Sequence, residues 1–247
     1  MRLLLIITLL MVCWRPGFAQ QNTEAVWTEM KKLAAVYSNT ARLSFDVMYR
    51  YAAAENPGVW LDSLNGRYKL NGTRYWYDIN NVESIRTDKY VILLFKEDQV
   101  MYLSKPKDPA AGGTPVSPGE QMESFLKNDS AIQCSMQETK NQKKITIDFK
   151  VPGVYKRIEC YISKQTGFLE KMVSWVRSDQ LYDASVRPMV DAEGSYSIVE
   201  TVYSNYKPNS FDDTLFSSER YFKITGNELM TVAPYDMYKI FKGDPNL

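Results

Sequence analysis

From Leu43 almost to its end, the chain places apolar residues at every second position, the period of a half-buried strand. Leu43, Phe45, Val47, Tyr49 and Tyr51 alternate with Ser44, Asp46, Met48 and Arg50. Before this point the period is helical. Val26, Met30, Leu33 and Tyr37 form a one-sided stripe, widened by Trp27 and Ala34. Glu24 and Glu29 precede Lys31 and Lys32, which suits the helix dipole, and Asn22 or Thr23 is placed to cap. The spacing therefore predicts one helix over 20–39, lying on a surface, followed by an antiparallel sheet.

The stretch LNGRYKLNGTRYWYDI reads as a hairpin turning at Asn71-Gly72. A two-residue type I′ loop there sets Leu70 opposite Thr73, Tyr68 opposite Tyr75, Gly66 opposite Tyr77 and Leu64 opposite Ile79. That face is apolar. The other pairs Arg67 with Trp76, as a cation–π contact, and Asn65 with Asp78. Tyr68, Tyr75 and Tyr77 fit either a ligand platform or the packing of cross-strand pairs. Gly66 is either a notch for a ligand or bare backbone under a ring. Tyr90–Phe95 (YVILLF) and Val100–Leu103 (VMYL) are apolar on both sides, so each face of the sheet needs a cover there. The helix supplies one.

The segment Lys105–Glu120, rich in Pro and Gly, is a surface loop or flap. It ends in Ser117-Pro118-Gly119-Glu120, a capping box that predicts a short helix over Pro118–Lys127, with Met122, Phe125 and Leu126 on its sticky side. Further strands are expected over 131–137, 144–150, 155–163, 168–177 and 196–206, with closing strands over 215–225 and 229–232. Met101, Met122, Met136 and Met172 suit an adaptable apolar surface as well as ordinary core filling. In a simple meander Cys134 and Cys160 stand two strand spacings apart, about 9–10 Å. A disulfide needs Cα atoms within ~7 Å. Free buried thiols are expected, and a bridge would require strands out of meander order.

The first nineteen residues read as a signal peptide. Arg2 opens it, Leu3–Val12 is apolar, and Gly17-Phe18-Ala19 offers small residues for cleavage after Ala19. The apolar run is too short to span a membrane, which takes roughly 18 residues or more. Acylation of Cys13 would want a small residue where Val12 stands. Residues 20–247 then form a single exported domain, left nearly neutral by the loss of Arg2 and Arg15. That balance argues against nucleic acid as a partner.

The chain holds no histidine, which excludes Ser-His-Asp and Cys-His catalysis and any His-ligated metal site. No metal or cofactor is called for. The acid pairs Glu97-Asp98 and Asp212-Asp213 sit in turn-like settings rather than flanking a cleft, as a glycosidase would need. Ser117 beside Lys105 or Lys107 is better explained as a helix cap than as a Ser-Lys nucleophile.

The order of elements carries a resemblance: helix, hairpins, Pro/Gly flap with short helix, then more hairpins. Local echoes are Gly66-Arg67-Tyr68, VMYLSKP from Val100, TPVSPGEQMESFL into the short helix, and ISKQTGFLEKM from Ile162. Over residues 24–222 the chain resembles the periplasmic outer-membrane lipoprotein carriers of the Lol type, as a divergent member. The resemblance implies an α+β fold: a strongly curved antiparallel sheet, an incomplete β-barrel, with an N-terminal helix and a short helical lid. It implies a non-enzymatic periplasmic carrier of acyl chains, from a lipoprotein or another lipid, that exchanges cargo with a membrane-bound donor or acceptor protein. Leu64, Tyr68, Tyr75, Tyr77, Ile79, Ile92, Leu94, Met101, Leu103, Ile147 and Phe149 would then line the cavity, and Met122, Phe125 and Leu126 would form the lid. The family places an arginine near the second hairpin's turn to latch the lid; here Arg67 and Arg74 only flank Lys69–Gly72, and 224–247 extends beyond the usual end. The competing reading is an interaction module of the same fold with its core filled by its own side chains.

Overall fold

A computed structural model describes residues 23–107, 117–119, 121, 132–151, 153–181, 195–226 and 228–244. The expected signal peptide, helix residues 20–22 and lid residues Met122, Phe125 and Leu126 lie outside the described residues. Helix α1 (Thr23–Asn39) is followed by β1 (Leu43–Ala53), β2 (Trp60–Asn71), β3 (Arg74–Ile79), β4 (Val82–Arg86), β5 (Val91–Phe95) and β6 (Val100–Ser104). Then come β7 (Ile132–Glu138), β8 (Gln142–Phe149), β9 (Tyr155–Ser163), β10 (Leu169–Arg177) and β11 (Tyr196–Pro208). Two 3₁₀ turns, Asp213–Phe216 and Ser218–Arg220, lead to β12 (Phe222–Thr225), β13 (Glu228–Thr231) and β14 (Lys239–Lys242).

Twelve strands form one curved, unclosed sheet in the order β14-β6-β5-β4-β3-β2-β1-β11-β10-β9-β8-β7. All neighbours are antiparallel except β14, which runs parallel to β6 along one edge. β12 and β13 pair only with each other. The fold is α+β, as expected from the sequence.

Helix α1 uses the predicted stripe. Val26, Met30, Leu33 and Tyr37 are all buried, against Cys134, Ile145, Ile147, Ile158 and Cys160 of β7–β9 and Leu43, Phe45 and Val47 of β1. Glu29 ties the helix to β8 through Lys143 (2.5 Å). Tyr206 Oη donates to the Leu169 carbonyl (2.6 Å), so Tyr37 Oη donates to Tyr206 Oη (2.7 Å). This bond and ring contacts to Phe45 and Phe168 pin the end of α1 to the sheet. Pro118, Gly119 and Gln121 are helical, and Gln121 N–H donates to the Ser117 carbonyl (3.0 Å), so the predicted short helix does open at Ser117.

The β2–β3 register differs from the expected one by two residues. Asn71 pairs with Arg74, Leu70 with Tyr75, Tyr68 with Tyr77 and Gly66 with Ile79. The loop is Gly72-Thr73, and Gly72 (φ 59°) takes a positive φ while Thr73 does not. A glycine alone at positive φ in the first loop position is the II′ pattern rather than I′. A slip of two keeps every side chain on its expected face, because faces alternate with period two. Cys134 and Cys160 are buried and not joined in a disulfide, separated by β8, where Ile147 and Ile145 face them.

The second cover asked for by β5 and β6 is the C-terminal segment. Trp76, Ile85, Ile92, Leu94, Met101 and Leu103 point away from α1 and are sealed by Phe216, Tyr221, Phe222, Leu229, Tyr235 and Ile240. The stretch that runs beyond the usual end thus supplies β13 and β14 and, through Leu229, Tyr235 and Ile240, part of this outer cover.

Candidate functional site

Cross-strand pairs assign each side chain to one of two faces. On the helix face, a continuous field runs from Val47 and Tyr49 through Tyr68 and Leu70, Tyr75, Tyr77 and Ile79, Val82 and Ser84, and Leu93 and Phe95, to Tyr102 and Phe241. Helix α1 covers only part of it. Where its cluster ends, the residues change from buried to half-buried: Tyr75, Tyr77, Ile79, Val82, Leu93 and Phe95 all keep contact with solvent. At the edge, Tyr102 is 43% and Phe241 48% exposed. Helix packing explains the buried part. It does not explain why β3, β5 and most of β6 stay apolar on this side, around Ser84 and Arg86 of β4, when their other side already has a cover.

The field is ringed by tyrosines that order one another. Phe45 stacks on Tyr68 (5.3 Å), Tyr68 lies 5.3 Å from Tyr77, and Tyr77 stacks with Tyr75 (5.8 Å). Tyr49 and Tyr68 share a hydroxyl hydrogen bond (3.2 Å), and Tyr77 is bonded to Ser84. Burial raises the pKa of all three phenols, Tyr49, Tyr68 and Tyr77, so they remain neutral donors and acceptors. Gly66 is no vacant notch. A β-carbon there would lie 2.6 Å from Ile79 Cγ1 and 3.0 Å from Val47 Cγ2, so those two side chains lie over its bare backbone.

The residues expected to line a cavity divide between the faces. Leu64, Tyr68, Tyr75, Tyr77 and Ile79 lie together on the open part of the helix face, and Ile147 and Phe149 lie on its helix-packed part. Ile92, Leu94, Met101 and Leu103 lie on the outer face beneath the C-terminal segment, away from this field. Their places are taken by alternate residues of the same strands, Leu93, Phe95 and Tyr102. Sequence reasoning missed these because β4 went unrecognised, and with an uncounted strand the faces cannot be carried across from β3 to β5.

The arginines flanking the hairpin turn are both committed to the outer face. Arg74 meets Asp213 (3.6 Å) and lies over Phe216 (5.1 Å), while Asn71 donates to Asp213 (2.7 Å). Arg67 meets Asp78 (3.2 Å) and lies over Trp76 (5.7 Å). They fasten the C-terminal segment and the strand ladder, and neither reaches the open field. Over β7–β11 and β1 the outer face carries the ion pairs Arg50–Glu200, Lys144–Glu159 (2.9 Å) and Arg157–Asp148 (2.6 Å) beside a small apolar cluster of Ala52, Val173 and Ile198 with Tyr161 and Trp175.

Two clefts lie elsewhere. One of about 520 Å³ opens between Thr87–Tyr90 and Phe216–Ile224, and one of about 390 Å³ is walled by Asp46, Asn65, Arg67, Asp78 and Asn80 and also lined by Val47 and Gly66. Both have charged rims. Among the described residues no three His, Cys, Asp or Glu side chains group as metal ligands, and no helix is long and apolar enough to cross a membrane.

No protein-family profile and no curated protein matches the sequence. Among solved structures the fold is similar to that of an uncharacterized conserved protein from Thermus thermophilus (10% identity, 88% of this chain and 99% of that one, TM-score 0.48). It is also similar to a LolA superfamily protein from Nitrosomonas europaea (9%, 78% and 97%, TM-score 0.36). A third is the lipoprotein LppX of Mycobacterium tuberculosis (10%, 77% and 99%, TM-score 0.37).

Proposed function

We propose that this protein is an exported, non-enzymatic carrier that shelters an acyl chain, from a lipoprotein or another lipid, against the open part of the helix face. One observation supports the reading above others: β3 and β5, and Val100 and Tyr102 of β6, remain apolar on a side that α1 does not reach, interrupted by Ser84 and Arg86 of β4, while their outer side is already sealed. A sheet built only to fold would place polar residues on that second side.

The energetics fit such a task. Each buried CH₂ is worth about 0.8 kcal/mol, so a long acyl chain gains on the order of 10 kcal/mol by leaving water. Tyr75, Tyr77, Ile79, Leu93 and Phe95 offer wide apolar area, and the neutral phenol of Tyr77 adds no charge to desolvate. The chain's donor and acceptor would be membrane-bound proteins.

Native mass spectrometry of protein purified from its own cells, with titration of a fluorescent fatty-acyl probe, tests the proposal. Co-purified lipid and probe uptake are expected, and Leu93→Glu should weaken uptake at least about ten-fold, because a carboxylate would have to be desolvated beside the chain. No lipid and no uptake by the unmodified protein would leave the filled interaction module as the reading.

A further inference from the structure

Ser174 lies in the middle of β10 on the helix face. Its neighbours there are Ile158 across β9, Val199 across β11, and Met172 and Val176 two residues to either side. The residue is 3% exposed, and its Oγ has no hydrogen-bond partner. A buried hydroxyl pair nearby is satisfied: Ser178 Oγ and Ser197 Oγ share a hydrogen bond (2.9 Å). A buried, unpartnered hydroxyl is destabilising, and alanine or valine would avoid the penalty in a position whose four neighbours are all apolar. Folding alone gives no reason for a serine here.

Its position in the face supplies one. The cross-strand row runs Ile158, Ser174, Val199, Tyr51. Ile158 is fully buried in the α1 cluster, whereas Val199 and Tyr51 are half-buried. The hydroxyl therefore stands at the border between the helix-covered part and the open part of the face.

We propose that Ser174 is the polar anchor of the carried ligand, donating its hydroxyl proton to the carbonyl oxygen of the ester or amide that joins an acyl chain to its headgroup. The inference rests on the carrier reading above. A carbonyl oxygen accepts and cannot donate, so it complements the unpartnered Ser174 hydroxyl. Val199 and Tyr51, the half-buried members of the row, then pack against the alkyl carbons. The neighbours of Ser174 on this face, Thr201 and Ser197 of β11 included, carry no charge, so the patch suits a neutral carbonyl rather than the carboxylate of a free fatty acid, which would need a counter-charge.

Two probes of equal chain length and headgroup separate the terms: glycerol monododecanoate, which has the ester carbonyl, and 1-O-dodecylglycerol, which lacks it. Dissociation constants are measured by calorimetry on the full chain without its leader. The unmodified protein is expected to prefer the ester about three- to ten-fold, the range of one neutral hydrogen bond. Ser174→Ala should abolish the preference by weakening the ester alone, and its melting temperature should not fall. Equal affinities for ester and ether in both proteins would overturn the anchor and keep the carrier. So would an equal weakening of both probes in the variant. Failure of the unmodified protein to bind either probe would overturn the carrier reading and the anchor together.

Discussion

Replacing Gly119 with alanine tests, by the sign of its effect, whether the short helix that opens at Pro118 is docked on α1. A β-carbon at Gly119 would lie 2.7 Å from Ala34 Cα, 3.2 Å from Ala34 N and 3.3 Å from the Tyr37 ring. Carbon atoms rest against each other at about 3.5–4.0 Å, so the two backbones must part by close to an ångström. No change of rotamer relieves the clash, because the nearest atoms are main chain. Overpacking of this kind costs about 1–3 kcal/mol. Opposing it, exchange of a helical glycine for alanine gains at most about 0.8–1.0 kcal/mol, and less in a first turn. The net expectation is a loss of about 0.5–2 kcal/mol, or ~1–8 °C in melting temperature for a chain of this size. Without the contact only the propensity gain remains, and the variant would melt at the same temperature or higher. Thermal unfolding followed by circular dichroism measures the difference. A second variant tightens the test: adding Ala34→Gly must not restore stability, since glycine keeps both offending atoms. A higher melting temperature for Gly119→Ala, or rescue by Ala34→Gly, would refute the docking.

Three further outcomes follow from the packing. Burial raises the pKa of the Cys134 and Cys160 thiols, so neither should react with a thiol reagent near neutral pH until the protein is unfolded; rapid labelling of the native protein would contradict their placement. Burial pulls the Glu29 pKa upward, but hydrogen bonds from Lys143 and Lys32 hold it below its ordinary 4.5. The stability it contributes is therefore whole above about pH 4.5 and fades as pH falls through the lower, folded value. Lys143→Met should flatten the acid loss between about pH 5 and 3, and an unchanged slope in denaturant titrations would count against the pair. Phe222, 2% exposed in the outer cluster, should cost about 3–5 kcal/mol when cut to alanine and speed hydrogen exchange in β5 and β6; protection unaltered in those strands would show that the C-terminal segment does not hold them.

The α1 stripe, the switch to period two at Leu43 and the capping box at Ser117 were legible because each is a local pattern with one physical reading. The faces of β2 and β3 were legible even with the turn misplaced, since a two-residue slip preserves alternation. β4 was hidden by its composition. Glu83 and Arg86 make VESIR look like a loop, yet Glu83 accepts from Trp76 Nε1 (2.7 Å) and Ser84 is buried against Tyr77. The sides taken by Ile92 and Leu94, against Leu93 and Phe95, were illegible for a different reason. A strand apolar on both faces carries no internal sign of which face meets which partner, and the partner for one face lay more than a hundred residues later, in a segment with no clear period. Ser174 gave no signal at all. One serine in LEKMVSWVR is ordinary until its hydroxyl is found among four apolar neighbours.

The pairing of β1 with β11 bears on how the molecule comes to be made. β1 is the first strand to emerge from the ribosome and β11 one of the last, yet Tyr49 must find Thr201. Until then β1 presents a raw edge, and the flank formed by Trp76, Ile85 and Ile92 stays bare until Phe222 arrives. Long-range pairings of this kind form slowly, and unpaired edges invite wrong partners. A nascent chain of this design depends on being held apart from its siblings until translation is nearly finished, and a product truncated before residue 222 is material for proteolysis rather than a working half.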